Sequence, residues 1–282
     1  MCNNQKLETI PCPLCQNEEQ NIAFDQFSPY NIVCCRSCGF FYLSPRLKET
    51  AMIEMYKDDH YFESDTVGYA SYVEQEQSLR ATFHRLMVNL KKRNLTGGGL
   101  LEVGCGYGYL LEEAKGFFEP RIGTEYSCQA IEQARKRADH IYEGGIDQIP
   151  ANDRFDCIIA IQVLEHIYQP KSFMKDLYKH LKPGGKIVIV TPDMGCLWRR
   201  FMGHRWPAFK IPEHVLYFNR RTLGKLMGEV GFANIKSLPY PHAFPLFLVA
   251  ARLSISLPSV LGRFVVWIPA ATLAMVGVSP DE

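Results

Sequence analysis

The sequence predicts an α/β protein: a doubly wound, mostly parallel seven-stranded sheet with a small metal-binding module in front of it. Three observations carry that reading. Between about residues 95 and 252, short apolar runs alternate with amphipathic ones, as parallel strands joined by crossover helices require. A glycine-rich turn, Gly104-Cys-Gly-Tyr-Gly108, directly follows the first of these runs. Two Cys-x-x-Cys pairs stand within the first 46 residues. The chain thus divides into four zones: 1–46, 47–94, 95–252 and an apolar tail, 253–282.

The 282 residues suffice for one large domain plus a small module, and 47% of them are hydrophobic. Lys and Arg number 31 against 30 Asp and Glu, leaving a formal charge of +1. That balance excludes a disordered chain and a nucleic-acid binder working by bulk charge. No apolar run opens the sequence, so no secretory signal is expected, and the ten cysteines read as thiols or metal ligands rather than disulfides. The expected location is cytoplasmic, extending to the inner face of a membrane if the tail makes contact there.

In the first zone, Cys12-Pro-Leu-Cys15 and Cys35-Arg-Ser-Cys38 are separated by 19 residues. Two such knuckles place four thiolates at the corners of a tetrahedron, which zinc accepts without electronic cost. Four protein ligands leave no open position, so the expected ion is structural. Gly39 supplies a left-handed turn that aims backbone N–H groups at the sulfurs. Cys34 competes with Cys35, but only Cys35 keeps the two-residue spacing. In the second zone, Tyr72, Leu79, Phe83, Leu86, Met87 and Leu90 recur at near-helical spacing, which predicts a helical linker or cap.

The third zone reads in order as strand 100–103, helix 109–116, strand 121–126, helix 130–138, short strand 140–142 and buried strand 155–161. Helix 170–181, strand 186–191, helix 222–230 and two final strands, 233–238 and 246–251, complete it; this late pair is expected to run antiparallel at the sheet's end. The glycines at 104, 106 and 108 let the backbone turn sharply and approach a ligand. Glu125 closes the second strand 21 residues after Gly104, where a carboxylate in an open parallel sheet stands beside a bound ribose. A bare tight turn and a solvated strand end are the alternative. Loop, acid and strand order together favour a nucleoside ligand.

Leu101-Glu-Val-Gly-Cys-Gly-Tyr-Gly108, Ile122-Gly-Thr-Glu-Tyr-Ser127, Phe155-Asp-Cys-Ile158, Val163-Leu-Glu-His166 and Leu181-Lys-Pro-Gly-Gly185 occur in this order. Together they resemble the motif series of class I S-adenosylmethionine-dependent methyltransferases, most of all the ubiquinone-type O-methyltransferases and the zinc-bearing sugar methyltransferases. The resemblance covers most of residues 96–252. It implies a Rossmann-like methyltransferase fold and S-adenosylmethionine as cofactor. Gly104, Gly106 and the turn between them at Cys105 then pass beneath the methionine part, Gly108 belongs to the same cofactor-binding loop, and Glu102 fixes the loop. Glu125 holds the ribose, Tyr126, Ile146 and Asp147 meet the adenine, and Gln162 meets the methionine carboxylate or amine. Gly145 stands where an acidic residue is common.

A sulfonium methyl is already a good electrophile, so such an enzyme aligns an acceptor and supplies a base. His166, at the mouth of the sheet, is the first candidate base; the alternative is a histidine that caps the turn. His214, in Ile-Pro-Glu-His-Val-Leu-Tyr-Phe218, is the second, with the same alternative. The implied acceptor is a small hydroxylated or lipid-linked molecule, such as a prenylated quinone precursor or a sugar on a lipid carrier. An RNA acceptor is a minority reading, because residues 11–46 carry only Arg36 and Arg46 against Glu18, Glu19 and Asp25. A non-catalytic scaffold is the third.

Aromatics and cations interleave from Trp198 to Lys210, which suits stacked bases, an anionic ligand, a membrane surface or an ordinary amphipathic helix. In the tail, Pro258, Gly262 and Pro269 interrupt the apolar run. Two apolar helical segments lying on a membrane, with Arg263 and Trp267 at headgroup level, are expected; packing on the core or on a second subunit of a homodimer competes with that.

Overall fold

The computed structural model describes residues 6–56, 74–247, 264–268 and 272–280. In chain order the elements begin with β1 (Leu7–Glu8), β2 (Gln20–Phe27), β3 (Tyr30–Cys35), β4 (Phe41–Leu43), β5 (Arg46–Leu47), α1 (Glu49–Tyr56) and α2 (Glu76–Lys91). Next come β6 (Leu100–Val103), α3 (Tyr109–Glu113), β7 (Arg121–Glu125), α4 (Cys128–Ala134), β8 (His140–Glu143), β9 (Phe155–Ile161), α5 (Pro170–Lys179) and β10 (Leu181–Pro192). The rest are α6 (Leu197–Met202), β11 (Leu216–Tyr217), α7 (Arg220–Val230), β12 (Ala233–Ser237), β13 (His242–Pro245), β14 (Val265–Ile268) and β15 (Thr272–Val278).

The principal sheet has seven strands in the order β12-β15-β10-β9-β6-β7-β8, the doubly wound arrangement expected. Strands β10, β9, β6, β7 and β8 run parallel, while β15 is antiparallel to both β10 and β12. All four residues of β6 are buried because helices cover both faces of the sheet. On one face Leu101, Val103, Ile158, Ala160, Ile187 and Ile189 join a core that includes Met174 of α5 and Leu223 of α7. On the other, Leu100, Cys157, Ile159, Val188 and Val190 meet Leu86 and Leu90 of α2, Leu110 of α3 and Ile131 of α4.

The chain enters this sheet at β6, moves outward through β7 and β8, and then returns to β9 on the other side of β6. The reversal opens a crevice beyond the carboxyl ends of β6 and β9, which is where open α/β sheets bind ligands.

The apolar tail departs from the expected helical form. Its Thr272–Val278 segment is a strand, paired with Lys186–Pro192 on one side and β12 on the other. Leu273 and Met275 face one core while Ala274 and Val276 face the other, so the run is apolar because both its faces are buried. The seventh strand is thus this one and not 246–251, of which residues 248–251 lie outside the described residues. Val265–Ile268 pairs with His242–Pro245 as a second antiparallel ribbon. Pro258, Gly262, Arg263 and Pro269, like Tyr72 in the second zone, lie outside the described residues. Among the described residues no helix is long and apolar enough to cross a membrane.

The N-terminal module does not fold apart from the rest. Its sheet has the order β11-β4-β3-β2, so a strand from residues 216–217 completes it. Phe40 packs on Phe218, with ring centroids 4.8 Å apart, and Phe24 packs on Phe209 at 5.0 Å. Residue 46 is therefore a boundary along the chain but not through the core.

Candidate active site

The loop after β6 is shaped by its glycines. Gly104, Gly106 and Gly108 have φ of 69°, 53° and 76°, a left-handed conformation that other residues adopt only with strain. A Cβ on Gly104 would stand 2.8 Å from Cγ2 of Val163, so the loop after β6 and the turn after β9 touch across the crevice. Gly108 serves packing instead. A Cβ there would meet the Cα of Ala134 at 3.0 Å, so this glycine lies against α4 and does not face the crevice. Cys105 likewise turns its thiol inward, toward Gly123, and offers the crevice only its backbone.

Glu125 organises the loop from below. Its Oε2 accepts from the Gly106 N–H at 2.8 Å, and its Oε1 accepts from Tyr126 and Ser127 at 2.8 and 3.0 Å. Three backbone donors hold this buried carboxylate where the loop, β7 and α4 meet. Glu102, on β6, accepts a hydrogen bond from the Leu111 N–H in the first turn of α3. Burial, and then the Glu125 charge, push its carboxyl well above the usual carboxylate range. One of its oxygens has no hydrogen-bond partner among the described residues, and neither has the buried Tyr240 hydroxyl, which lies within the field of Glu102.

At the rim, Ile146 and Asp147 sit in a short 3-10 turn, 146–148, beside the largely exposed Tyr126 ring. A Cβ on Gly145 would stand 2.8 Å from Asp147 Oδ1 and even closer to the Tyr126 hydroxyl. Those three residues form one wall. On the opposite side Gln162 has φ of 56°, strained for a side-chain-bearing residue, and its N–H donates to the Val190 carbonyl at 2.8 Å.

His166 and His214 come together although 47 residues separate them: their rings meet edge to face with centroids 4.6 Å apart. His166 ends a 3-10 turn, 164–166, and the Val215 N–H binds the Glu165 carbonyl at 2.9 Å. His214 Nδ1 pairs with the Ala208 carbonyl at 2.9 Å. Burial lowers the His166 imidazole to about 4, with the Lys210 charge adding to it, and burial together with the neighbouring His166 holds His214 well below the usual histidine range. Both rings are therefore neutral near pH 7, the form a base requires. Beside them lies Glu165, fully buried and raised to about 7 chiefly by that burial. Glu165 is visible in the sequence as a member of the Val163-Leu-Glu-His166 motif, whereas Tyr240 carries no signal of its own.

In the N-terminal module the sulfurs of Cys12, Cys15, Cys35 and Cys38 all lie within 4.8 Å of one another. Cys12 to Cys38 and Cys15 to Cys35 are each 3.5 Å. Sulfurs around a tetrahedral ion with bonds of about 2.3 Å stand about 3.8 Å apart, so the tetrad fits zinc closely. Backbone N–H groups of Leu14 and Cys15 point at Cys12, that of Asn17 at Cys15 and that of Phe40 at Cys38, as thiolates need. Cys34 and Cys35 project to opposite faces of β3, which keeps Cys34 out of the tetrad. Of the cysteines outside the N-terminal module, 105, 157 and 196 are buried and Cys128 is exposed.

The sequence profile of the methyltransferase-domain family matches residues 69–237. This chain belongs to that family. Among relatives of this methyltransferase, the ubiquinone biosynthesis O-methyltransferase of Bradyrhizobium diazoefficiens is 30% identical over 168 residues, covering 50% of this chain and 66% of that protein. The mitochondrial ubiquinone biosynthesis O-methyltransferase of Schizosaccharomyces pombe is 30% identical over 136 residues, covering 45% and 47%. The matched segment thus spans about half to just under two thirds of these relatives. Among solved structures, an S-adenosylmethionine-dependent methyltransferase from Thermotoga maritima superposes with a TM-score of 0.54 at 23% identity, covering 78% of this chain and 98% of that one. One from Archaeoglobus fulgidus gives 0.52 at 16% identity, covering 74% and 99%. These superpositions establish the fold as that of class I methyltransferases.

Proposed function

We propose that this methyltransferase transfers the methyl group of S-adenosylmethionine to a small hydroxylated or lipid-linked acceptor, and that its cysteine tetrad holds a structural zinc. The observation that carries the reading is the crevice itself: a loop of left-handed glycines tied by Gly106 to Glu125, at the point where strand order reverses. A Cβ at Gly104 would crowd this space against Val163, as expected of a floor that a ligand approaches closely.

In this reading Gly104, Cys105 and Gly106 run beneath the methionine part, and Gln162 holds its polar end. The ribose hydroxyls donate to Glu125, whose oxygens are already aimed by three N–H groups. Tyr126, Ile146 and Asp147 form the adenine wall. When bound, the donor supplies an electrophilic sulfonium methyl. In this reading the chain's residues then exclude water, align the acceptor and take up its proton, with His166 and His214 as the candidate bases.

Support for a lipid-linked acceptor comes from α6. Leu197, Trp198 and Phe201 are 64%, 46% and 84% exposed, next to Arg199 and Arg200. Apolar rings rimmed by cations suit a headgroup surface. The quinone-related names of the relatives agree with such an acceptor. RNA is disfavoured further: Arg46 is buried and paired with Glu8 at 2.8 Å, which removes one of the ribbon's two cations from any phosphate.

Calorimetry of S-adenosylhomocysteine binding to zinc-loaded protein tests the donor site, and no uptake overturns the reading. Transfer of labelled methyl to a panel of prenylated catechols, lipid-linked sugars and structured RNA then separates the acceptors.

A further inference from the structure

The cations of α6 and of the loop after it have no part in holding the donor. Residues 194–212 carry Arg199, Arg200, Arg205 and Lys210 and no acid, in a chain whose net charge is only +1. Of these cations, Lys210 is the one that stands at the paired histidines.

Its segment is fixed by its neighbours. Trp206 is buried and meets Phe209 edge to face at 5.1 Å, and Phe209 meets Tyr217 at 5.3 Å. The Lys210 carbonyl accepts from the His214 N–H at 2.7 Å, and the Ala208 carbonyl holds His214 Nδ1 at 2.9 Å. The backbone on both sides of Phe209 is therefore clamped to His214. From there the Lys210 ammonium acts on Glu165, His166 and His214 alike. Its side chain is exposed and forms no ion pair among the described residues. Glu165 is fully buried, and its Oε2 accepts from Thr191 Oγ1 at 3.0 Å instead.

Two complementary features thus meet on the acceptor side. A carbonyl cannot donate, so the Ala208 contact puts the proton of neutral His214 on Nδ1 and leaves Nε2 to accept from a hydroxyl. Lys210 brings a positive charge and three N–H donors. At the mouth of a buried pocket such a charge is less screened than on open surface, which strengthens its hydrogen bond to an anion.

We infer that Lys210 binds an anionic group of the methyl acceptor: the substrate is an acidic hydroxylated molecule, with its carboxylate or phosphate on Lys210 and its hydroxyl at the histidines. The hydroxyl's place rests on the methyl-transfer reading; the binding of the anion does not. During transfer the acceptor's O–H proton passes to an imidazole. The O–C bond forms as the C–S bond breaks, and that electron pair goes to sulfur, leaving a neutral thioether. The imidazolium so produced stands beside Lys210, and like charges in a buried setting oppose each other. An anion on Lys210 cancels that opposition, so the base gains strength when the acidic substrate is in place. A neutral acceptor of the same shape leaves the rings weakly basic.

The test titrates zinc-loaded, full-length protein holding S-adenosylhomocysteine with benzoate and with inorganic phosphate, and with benzamide as the neutral control. Calorimetry gives the affinities, and NMR of labelled histidines follows the ring titrations. At least one anion is expected to bind, with benzamide at least about ten-fold weaker than benzoate if the group is a carboxylate. The bound anion should raise the His166 titration from about 4 by about 1 pH unit. Lys210→Met should weaken the anion at least about ten-fold and raise the ring titrations in its absence, whereas Lys210→Arg should retain binding. The tighter of the two anions identifies the group as carboxylate or phosphate. No binding of either anion, or equal binding in Lys210→Met, overturns the assignment. If Lys210→Met fails to fold, the parent decides: an anion that saturates without raising the rings overturns it. Uptake of S-adenosylhomocysteine without anion binding defeats the anion site alone, and anion binding without that uptake defeats the methyl-transfer reading alone.

Discussion

The Gly106 N–H donates to Glu125 Oε2 at 2.8 Å, so the loop that ends β6 and the acid that ends β7 form one hydrogen-bonded unit. Removing the carboxylate therefore strips the crevice of its anion and also releases the loop. Glu125→Ala is expected to weaken S-adenosylhomocysteine at least about ten-fold, since each hydrogen bond to a charged group contributes about 1.5–3 kcal/mol. Glu125→Gln, which keeps an acceptor for Gly106, should lose less. Calorimetry on the two variants makes the comparison.

Gly104 combines φ of 69° with a crowded neighbour. Gly104→Ala should cost about 1–2 kcal/mol through the left-handed backbone alone, and more through Val163. Adding Val163→Ala relieves the contact and not the backbone, so denaturant melts should show only partial recovery in the double variant.

Zinc content separates the adjacent cysteines. Cys34→Ser should retain one zinc per chain, whereas Cys35→Ser should lose it and destabilise the protein by something on the order of 4 kcal/mol. Because Arg221 bonds the Cys38 carbonyl at 2.6 Å, the loss should spread into α7, which amide exchange can read.

Burial lowers His242 from 6.5 to about 4. In that interval the unfolded chain binds a proton that the folded chain refuses, so stability falls as pH drops from about 6.5 toward 4. The side chain is partly exposed, which limits the effect to about 2 kcal/mol. Its ring already stacks on Phe244 at 4.3 Å, so His242→Phe should fold, and its urea midpoint should decline less between pH 7 and 4.5 than that of the parent.

Thr82, on α2, accepts from the Ala243 N–H at 2.9 Å and thereby docks the β13–β14 ribbon. Thr82→Val leaves that buried N–H without its acceptor and should cost about 1–3 kcal/mol, while Thr82→Ser should be close to neutral. Urea unfolding of the pair distinguishes the lost hydrogen bond from lost packing.

The sheet's interior is legible in the sequence because its strands are apolar runs with sharp ends: Leu100–Val103 stops at a glycine, and Phe155–Ile161 begins after charged residues. The same feature hides β15. A strand buried on both faces shows no alternation, so Thr272–Val278 is indistinguishable from one apolar side of a helix. In the crevice, Gly104, Gly106 and Glu125 are readable because their roles depend on local turns and strand ends. Glu165 is legible as part of the Val163-Leu-Glu-His166 motif, but its meeting with His214 is not. That meeting is set by packing between segments distant in sequence.

β15 lies between β10 and β12, yet it comes last of the three in the chain. On the ribosome, everything that forms the nucleoside crevice emerges while β10 still presents a bare row of backbone donors and acceptors. The nascent protein must therefore keep that margin from pairing with a neighbour until residue 278 has been synthesised.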